Sequence, residues 1–375
     1  MIEQVLRKKF IKPDEVKINP IKEIISDVKS LTFRDKEFPS PPWYLIPFNN
    51  GIYNLMAKEF REFLPSDNLT AKLAVNYDPE SPGCPFIDKT FHELVRPEDV
   101  SDLYELMAYC MVPSYANQEF YFLFGSGRNG KSVYAQTIFR LLGQENVSTV
   151  SLHNIQSNRF ACAELHGKFA NICAELRYGN LRNTDLIKQL TGGDYIQAER
   201  KFMSPFSFRN YAKLIFITNE LPPTTDKTQA FYRRVRIIEF PYTFVGNTED
   251  KLLLDKITVQ ELEGLAFNCV AVLESMMARN FSFTKQEATS KTEQHYEKVS
   301  NPIDTFIAEN CDQDADTFIT KEDFKVKLDG WIRDNGIRIR DDKEILQRMK
   351  EKGIDDQKKT WGGVRKNSWI GIKWK

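Results

Sequence analysis

Four apolar runs in the middle of the chain have the length and continuity of buried strands. They are Phe120–Phe124, Ala170–Ala174, Leu214–Thr218 and Val235–Phe240. Continuous apolar strands that alternate with helix-like stretches are typical of a largely parallel sheet covered on both faces. The pattern therefore predicts an α/β domain over residues 119–245, with its ligands beyond the carboxyl ends of the strands.

The pattern changes on both sides of this segment. Residues 1–118 mix short helical stretches with turns rich in proline and asparagine, which predicts a small, mainly helical domain. Residues 246–300 place apolar residues at helical spacing and then become polar, which predicts a helical lid and a linker. Residues 301–375 follow the order of three helices and then short alternating strands over residues 362–374, which is the outline of a winged helix that binds DNA.

Composition narrows the class of protein. The chain has 375 residues, 41% of them hydrophobic, which is enough for two or three packed domains. Its 52 Lys and Arg balance its 52 Asp and Glu, so any nucleic-acid site must be local. Between residues 320 and 375, 16 basic residues face 10 acidic ones, which makes the C-terminal domain the basic part of the chain.

Other function classes are disfavoured by the same composition. The six cysteines form no C-x-x-C pair and the four histidines lack metal-ligand spacing, which argues against disulfides and structural zinc. The N-terminus lacks the apolar core of a signal peptide, and no apolar run has membrane-spanning length. The sequence predicts a soluble cytoplasmic protein without a membrane partner.

A complete G-x-x-x-x-G-K-[ST] motif follows the first apolar run. Residues 125–132 read Gly-Ser-Gly-Arg-Asn-Gly-Lys-Ser and stand between a predicted strand and a predicted helix, the context in which this motif binds nucleoside triphosphates. Glycines let backbone N–H groups surround the phosphates, the lysine reaches the terminal phosphates, and the serine hydroxyl binds Mg²⁺. The motif predicts an ATP and Mg²⁺ site formed by Gly125, Ser126, Gly127, Arg128, Asn129, Gly130, Lys131 and Ser132.

Two further candidates stand at the ends of later strands. Glu175 directly follows the second apolar run, where a carboxylate can hold Mg²⁺ or polarise an attacking water. Only one acid follows that run, so the metal and base roles cannot be divided between two residues. Asn219 follows the third run, where an amide can bind the γ-phosphate and the lytic water, or can simply begin the turn before the next prolines.

Two groups of cations complete the set. After Gly192-Gly193 the chain alternates like one arm of a hairpin. Cations near its tip can bind the phosphates of a nucleic acid, and flat rings can stack on its bases. A charged hairpin that is simply exposed to solvent has the same pattern. An arginine at a subunit boundary can stabilise transition-state charge in the neighbour's nucleotide site. The candidates are Arg200 and Lys201 with Tyr195 and Phe202 for DNA, and Arg233 or Arg234 for the boundary arginine.

The order of these motifs resembles the superfamily 3 helicases, a viral and plasmid branch of the AAA+ ATPases. The likeness is strongest to the C-terminal helicase part of phage, plasmid and poxvirus primase-helicases, and it covers about residues 45–245. The phosphate loop of that family matches Gly125–Ser132, and its Walker B acid matches Glu175. Its B-prime motif matches Gly192–Lys201, its sensor asparagine matches Asn219, and its arginine finger matches Arg233 or Arg234.

The resemblance implies an AAA+ type P-loop core and an ATP-dependent replicative DNA helicase of a phage, plasmid or virus. Such helicases form rings, commonly hexamers, with ATP at subunit interfaces and hairpins that grip single-stranded DNA. The implied partners are single-stranded and forked DNA, further copies of the chain, and a primase domain or protein, inside a bacterial, archaeal or virus-infected cell. An origin-binding or loader protein that uses ATP only to assemble is the alternative; a kinase would need a lid with acceptor-binding arginines, which we do not identify.

Overall fold

The computed structural model describes residues 18–31, 41–67, 69–158, 160–174, 181, 184–335, 337, 342–361 and 363–375. Helix α1 (Ile18–Leu31) lies in a first unit, residues 1–40, and all later elements lie in a second unit, residues 41–375. Among the described residues, every helix is too short or too polar to cross a lipid bilayer.

A small antiparallel sheet and two helices precede the central sheet. Strands β1 (Leu45–Pro47), β2 (Ile52–Asn54) and β3 (Glu59–Arg61) pair in that order, and helices α2 (Pro85–Leu94) and α3 (Val100–Cys110) follow. The small sheet lies in a segment where the sequence pattern predicts helices and turns, because strands of three residues are too short to show alternation.

The central segment alternates strands and helices. It contains β4 (Phe120–Phe124), α4 (Lys131–Leu142), β5 (Val147–Ser148), α5 (Leu152–Ser157), β6 (Ala170–Ala174), α6 (Asp185–Gly192), β7 (Tyr195–Ala198), β8 (Phe206–Arg209), β9 (Lys213–Thr218), α7 (Gln229–Tyr232) and β10 (Val235–Glu239). Five of the strands form one sheet in the order β10-β4-β9-β6-β5, and all neighbours are parallel. The four strands predicted from apolar runs are confirmed. Because β9 stands between β4 and β6, the carboxyl ends of these three strands lie side by side.

The helices after the sheet share a core with the residues before it. Helices α8 (Leu253–Lys256) and α9 (Val259–Met277) follow β10, and α9 packs against α3. Polar contacts join the same two parts: the Tyr53 hydroxyl donates to Glu274 at 2.6 Å, and the Asn76 amide donates to Glu263 at 2.8 Å. Helix α10 (Thr289–Ser300) packs on the opposite side, where buried Tyr296 contacts the aromatic residues of α7.

The last segment has its own apolar core. It contains α11 (Pro302–Asn310), β11 (Cys311–Thr320), α12 (Lys321–Asp334), α13 (Asp342–Glu351), β12 (Asp355–Trp361) and β13 (Val364–Trp374), with an antiparallel sheet in the order β11-β13-β12. The three predicted helices are confirmed, and the Thr320 hydroxyl caps α12 by accepting the Asp323 N–H at 3.1 Å. The prediction of short strands within residues 362–374 is wrong: residues 364–374 form one long strand, and the polar sequences of its two partners hid them.

Candidate functional site

The glycine-rich loop, residues 125–132, joins β4 to α4 and lies tightly against its surroundings. Gly130 has a φ of +79°, and a Cβ there would lie 2.1 Å from Cδ2 of Leu94 in helix α2. A Cβ on Gly125 would lie 2.6 Å from the carbonyl oxygen of Phe240, just after β10. A larger residue at either position would displace its neighbours, so glycine is required on steric grounds.

The Asn129 side chain ties the loop together. Its Oδ1 accepts hydrogen bonds from the Gly127 N–H at 2.8 Å and from the Lys131 Nζ at 2.6 Å, and its Nδ2 donates to the Phe240 carbonyl at 3.1 Å. Lys131 Nζ also donates to the Gly125 carbonyl at 2.7 Å. Lys131 is only 5% exposed, and these acceptors offset the cost of burying its charge. The loop and its lysine are thus held in one arrangement.

A cleft of about 1200 Å³ opens at the carboxyl end of the sheet. Residues 127–133, Ala174 at the end of β6 and Asn219 after β9 all line it. Helix α4 points its amino end at this cleft and has no acidic residue in its first turn, so its backbone N–H groups and helix dipole favour an anion there. Glu175 follows Ala174 in the sequence but lies outside the described residues.

The cleft also has two walls that the sequence did not indicate. Helix α2 contributes Phe86 and Lys89, and the segment after β10 contributes Phe244, Leu253 and Lys256. Apolar surfaces flanked by a few polar groups are typical of pockets for small aromatic ligands, including nucleobases. These residues carry no motif, and only tertiary packing brings them to the loop.

The chemistry of the cleft fits a metal held mainly by its ligand. In the part of the chain that the structure describes, no three or more His, Cys, Asp or Glu side chains gather as a metal site. Mg²⁺ commonly takes only one or two protein ligands and completes its shell with phosphate oxygens and water. Ser132 lines the cleft and Glu175 follows a residue that does, so both remain predicted ligands.

Strands β7 and β8 form a separate hairpin that presents cations and rings. Tyr195 pairs with Arg209 across the hairpin, and the Arg209 guanidinium lies 4.5 Å from the centre of the Tyr195 ring. Arg200, in the turn, lies 4.9 Å from the ring of Phe206. Lys201 is exposed in the same turn. The structure therefore places Arg200, Lys201 and Tyr195 on one exposed hairpin, together with Phe202, the fourth predicted DNA-binding residue.

The tip of this hairpin has a second unusual feature. Phe202 is fully exposed and has a φ of +63°, and the adjacent Met203 is 63% exposed. A left-handed backbone at a bulky residue costs about 1–2 kcal/mol, and the exposed ring gains nothing from burial. Strained backbone and exposed apolar side chains are both enriched at binding sites.

The two candidate arginines differ in their surroundings. Arg234 is 8% exposed, its Nη1 donates to the Ala230 carbonyl at 2.7 Å, and burial lowers its pKa below the usual value. Its buried Nε has no hydrogen-bond partner among the described residues. Arg233 is exposed, and its side chain makes no hydrogen bond or ion pair with described residues. Arg233 is thus the arginine available to another molecule.

Both arginines lie far from the glycine-rich loop of their own chain. They directly precede β10, whose five residues run parallel to β4. A strand of that length spans roughly 16 Å, so the arginines lie at the amino ends of these parallel strands and the loop lies at their carboxyl ends. Within one chain, the structure does not bring Arg233 or Arg234 to the cleft.

A polar contact joins the segment after Asn219 to the helix that leads into the hairpin. Asp226 accepts hydrogen bonds from the Lys188 Nζ at 2.5 Å and from the Thr184 hydroxyl, and both donors belong to the start of α6 or the residue before it. Burial raises the pKa of Asp226, but these hydrogen bonds outweigh it and hold the pKa well below its usual range. The segment that follows Asn219 is therefore tied to α6, the helix that precedes the hairpin.

Two family models match parts of the chain. A model described as "D5 N terminal like" matches residues 9–96, and a family of unknown function, DUF5906, matches residues 123–234. The second match contains the glycine-rich loop, the hairpin and both arginines. Each model covers less than half of the chain.

Curated viral proteins are similar to more than half of the chain. A protein of Acanthamoeba polyphaga mimivirus named "Putative helicase" is 27% identical over 226 residues, which are 55% of this chain and 22% of the viral protein. A protein of Invertebrate iridescent virus 6 with the same description is 28% identical over 224 residues, 55% of this chain and 23% of that protein. The matched region thus spans about a quarter or less of these relatives.

A solved structure shares the fold. The apo structure of the NrS-1 C-terminal region has a TM-score of 0.51 at 11% identity, over 95% of this chain and 90% of that one. At this identity the likeness extends to the fold alone. The chain is therefore an α/β protein with the fold of the NrS-1 C-terminal region and a sequence similar to viral proteins named as helicases.

Proposed function

We propose that this chain is the ATP-driven motor of a viral type of DNA helicase, acting as a ring of identical subunits with an AAA+ type core. One observation carries the proposal: the glycine-rich loop and Asn219 lie at the carboxyl ends of the parallel strands, whereas the exposed Arg233 lies at the amino end of β10. A nucleotide site that needs both parts must be completed by a second copy. Similarity to viral proteins named as helicases supports this assignment.

The cleft suits a nucleoside triphosphate. The loop backbone and the amino end of α4 would hold the phosphates, and the Lys131 amine would move from its loop acceptors to the terminal phosphates. Ser132 and Glu175 would hold Mg²⁺, which neutralises charge on the phosphate oxygens when bound. Asn219 would orient the attacking water, for which its side-chain amide offers both a donor and an acceptor.

The hairpin would bind single-stranded DNA. Arg200 and Lys201 offer cations to the phosphates, while Tyr195 and Phe202 offer exposed rings on which bases stack. Base stacking on an aromatic residue is worth about 1–3 kcal/mol and tolerates any sequence, as a moving motor requires. The Asp226–Lys188 contact would pass changes near Asn219 to the hairpin through α6. The basic C-terminal unit, with the element order of a winged helix, would be a separate DNA-binding appendage.

ATP hydrolysis measured with and without single-stranded DNA, together with native mass, tests this proposal. We expect an oligomer whose hydrolysis rises with DNA, and we expect Lys131→Ala to abolish hydrolysis because the terminal phosphates lose their cation. A monomer whose hydrolysis ignores DNA would overturn the proposal. Strand displacement on a forked duplex separates a helicase from a loader, which would assemble on DNA without displacing a strand.

The hairpin is tested by Lys201→Ala, with Gln197→Ala as a control on an exposed position of the same hairpin. We expect the lysine variant to keep basal hydrolysis and to lose DNA stimulation and unwinding, because its nucleotide cleft is untouched. The control should behave like the unaltered protein. Unchanged unwinding by the Lys201 variant would remove the hairpin from the DNA path.

The composite site is tested by mixing inactive subunits. Arg233→Ala and Glu175→Gln each inactivate a homogeneous ring, but in a mixed ring an interface can combine the intact Glu175 of one subunit with the intact Arg233 of the next. We expect partial recovery of hydrolysis in that mixture. Recovery only with Arg234→Ala would assign the role to Arg234, and recovery with neither variant would contradict an arginine acting between subunits.

A further inference from the structure

The hairpin formed by β12 and β13, residues 355–374, concentrates positive charge at its tip. Lys358, Lys359 and Arg365 are exposed there, and Lys366 is partly exposed. Lys359 pairs directly with Lys366 across the hairpin, and Arg365 pairs with Thr360 on the next rung. Because successive side chains of a strand point to opposite faces, Lys359 and Lys366 lie on one face of the hairpin, and Lys358 and Arg365 lie on the other. The tip therefore presents two cations on each face within three rungs.

This arrangement brings no benefit to the isolated chain. Like charges directly opposite each other in an antiparallel pair destabilise the sheet. Lys366 has one acidic partner, Glu322 at 3.1 Å. The side chains of Lys358, Lys359 and Arg365 make no ion pair or hydrogen bond with the residues that the structure describes. A polyanion bound at the tip would remove the repulsion.

Helix α13 has a different balance, because its three basic residues are matched by three acidic ones. Arg348 pairs with Glu351 of the same helix at 3.0 Å, and Lys352 just after it pairs with Asp304 at 3.4 Å. The acidic side chain of Asp342, at the start of the helix, is paired with Lys325 at 2.8 Å. The helix thus carries acids among its cations and has part of its positive charge already neutralised within the protein.

We propose that the tip of the β12–β13 hairpin, and not helix α13, docks on the phosphate backbone of duplex DNA. This inference rests on the proposed function, in which the chain acts at forked DNA. Duplex DNA carries one phosphate per about 1.7 Å of axis, twice the linear density of one strand, and its major groove admits a two-stranded β-ribbon. The dense cluster of cations on such a ribbon matches the duplex better than a single strand.

Two variants that remove the same charge test the docking surface in the full chain. Lys359→Gln with Arg365→Gln alters the hairpin tip, and Lys343→Gln with Lys350→Gln alters exposed positions of α13. Binding to a fluorescent 20-base-pair duplex is measured by anisotropy over a range of salt concentrations. We expect the hairpin variant to bind at least about tenfold more weakly near 0.1 M salt and to lower the slope of log K against log salt by about 2, because two phosphate contacts are lost.

The α13 variant should bind the duplex like the unaltered protein. The assignment would be overturned if both variants lost duplex affinity equally, or if only the α13 variant lost it. It would also be overturned if the hairpin variant lost affinity only for a single-stranded probe of the same length. The same preparations are assayed for DNA-stimulated ATP hydrolysis. Failure of the motor proposal removes that stimulation in every protein, whereas failure of the docking inference leaves stimulation intact and duplex binding unchanged in the hairpin variant.

Discussion

The substitution Gly130→Ala tests the contact between helix α2 and the glycine-rich loop. An alanine Cβ at this position would lie 2.1 Å from the Leu94 Cδ2 and would require a φ of +79°. Leu94 is 2% exposed and belongs to the main apolar core, so its side chain cannot turn away into solvent. The variant therefore has both a backbone cost and a steric cost.

The two costs can be separated by a double-mutant cycle with Leu94→Ala. The left-handed backbone costs about 1–2 kcal/mol in an alanine, and one extra methyl group in a filled core costs about 1–3 kcal/mol. Leu94→Ala alone leaves a cavity and costs about 2–5 kcal/mol. In the double variant the new methyl group enters that cavity, so the double loss is smaller than the sum of the single losses by about 1–3 kcal/mol.

Urea unfolding of the four proteins measures this coupling energy, and ATP binding is measured in parallel because a displaced loop should bind phosphate more weakly. Gly127→Ala is the matched control: its φ is +105°, but a Cβ there would meet nothing within 4 Å. It should show the backbone cost and no coupling to Leu94. A coupling energy near zero for Gly130 would refute the packing of α2 on the loop, and with it this wall of the cleft.

Two further predictions concern stability against pH. Lys213 is fully buried in β9, and burial lowers its pKa to about 7 from 10.5. Between these values the unfolded chain binds more protons than the folded one, so the free energy of unfolding rises with pH by up to about 5 kcal/mol. Lys213→Met should abolish that rise in urea unfolding. A stability difference between the two proteins that stays constant from pH 7 to 10 would contradict this prediction. Hydrogen bonds from His295 at 3.0 Å and Arg96 at 2.7 Å lower the pKa of Glu239 to about 2 from 4.5. The stability that the ionised Glu239 contributes is present above pH 4.5 and is lost as pH falls towards 2. Glu239→Gln should therefore lower the free energy of unfolding by up to about 3 kcal/mol at pH 6 and by little near pH 2. An equal loss at both pH values would show that the ionised carboxylate is not the stabilising species.

Some features of the fold were evident from local sequence alone. The strands β4, β6, β9 and β10 are continuous apolar runs because both faces of a parallel sheet are buried. Helix α12 begins where the Thr320 capping signal predicts, because the hydroxyl satisfies a backbone N–H that the helix leaves unpaired. Strands β1, β2, β3 and β11 gave no such signal, since they are short or polar and depend on their partners in the sheet.

The chemistry of the predicted nucleotide site is evident from the sequence, because a loop that surrounds phosphates needs glycines, a lysine and a hydroxyl at fixed spacing. The enclosure of that site could not be predicted from the sequence. Residues such as Phe86 and Phe244 reach the cleft through packing between segments far apart in the chain. Arg233 and Arg234 are adjacent residues with identical chemistry, but Arg233 is exposed and Arg234 is buried. Local sequence determines which groups are available, whereas long-range packing decides which of them meet and which of them face another molecule.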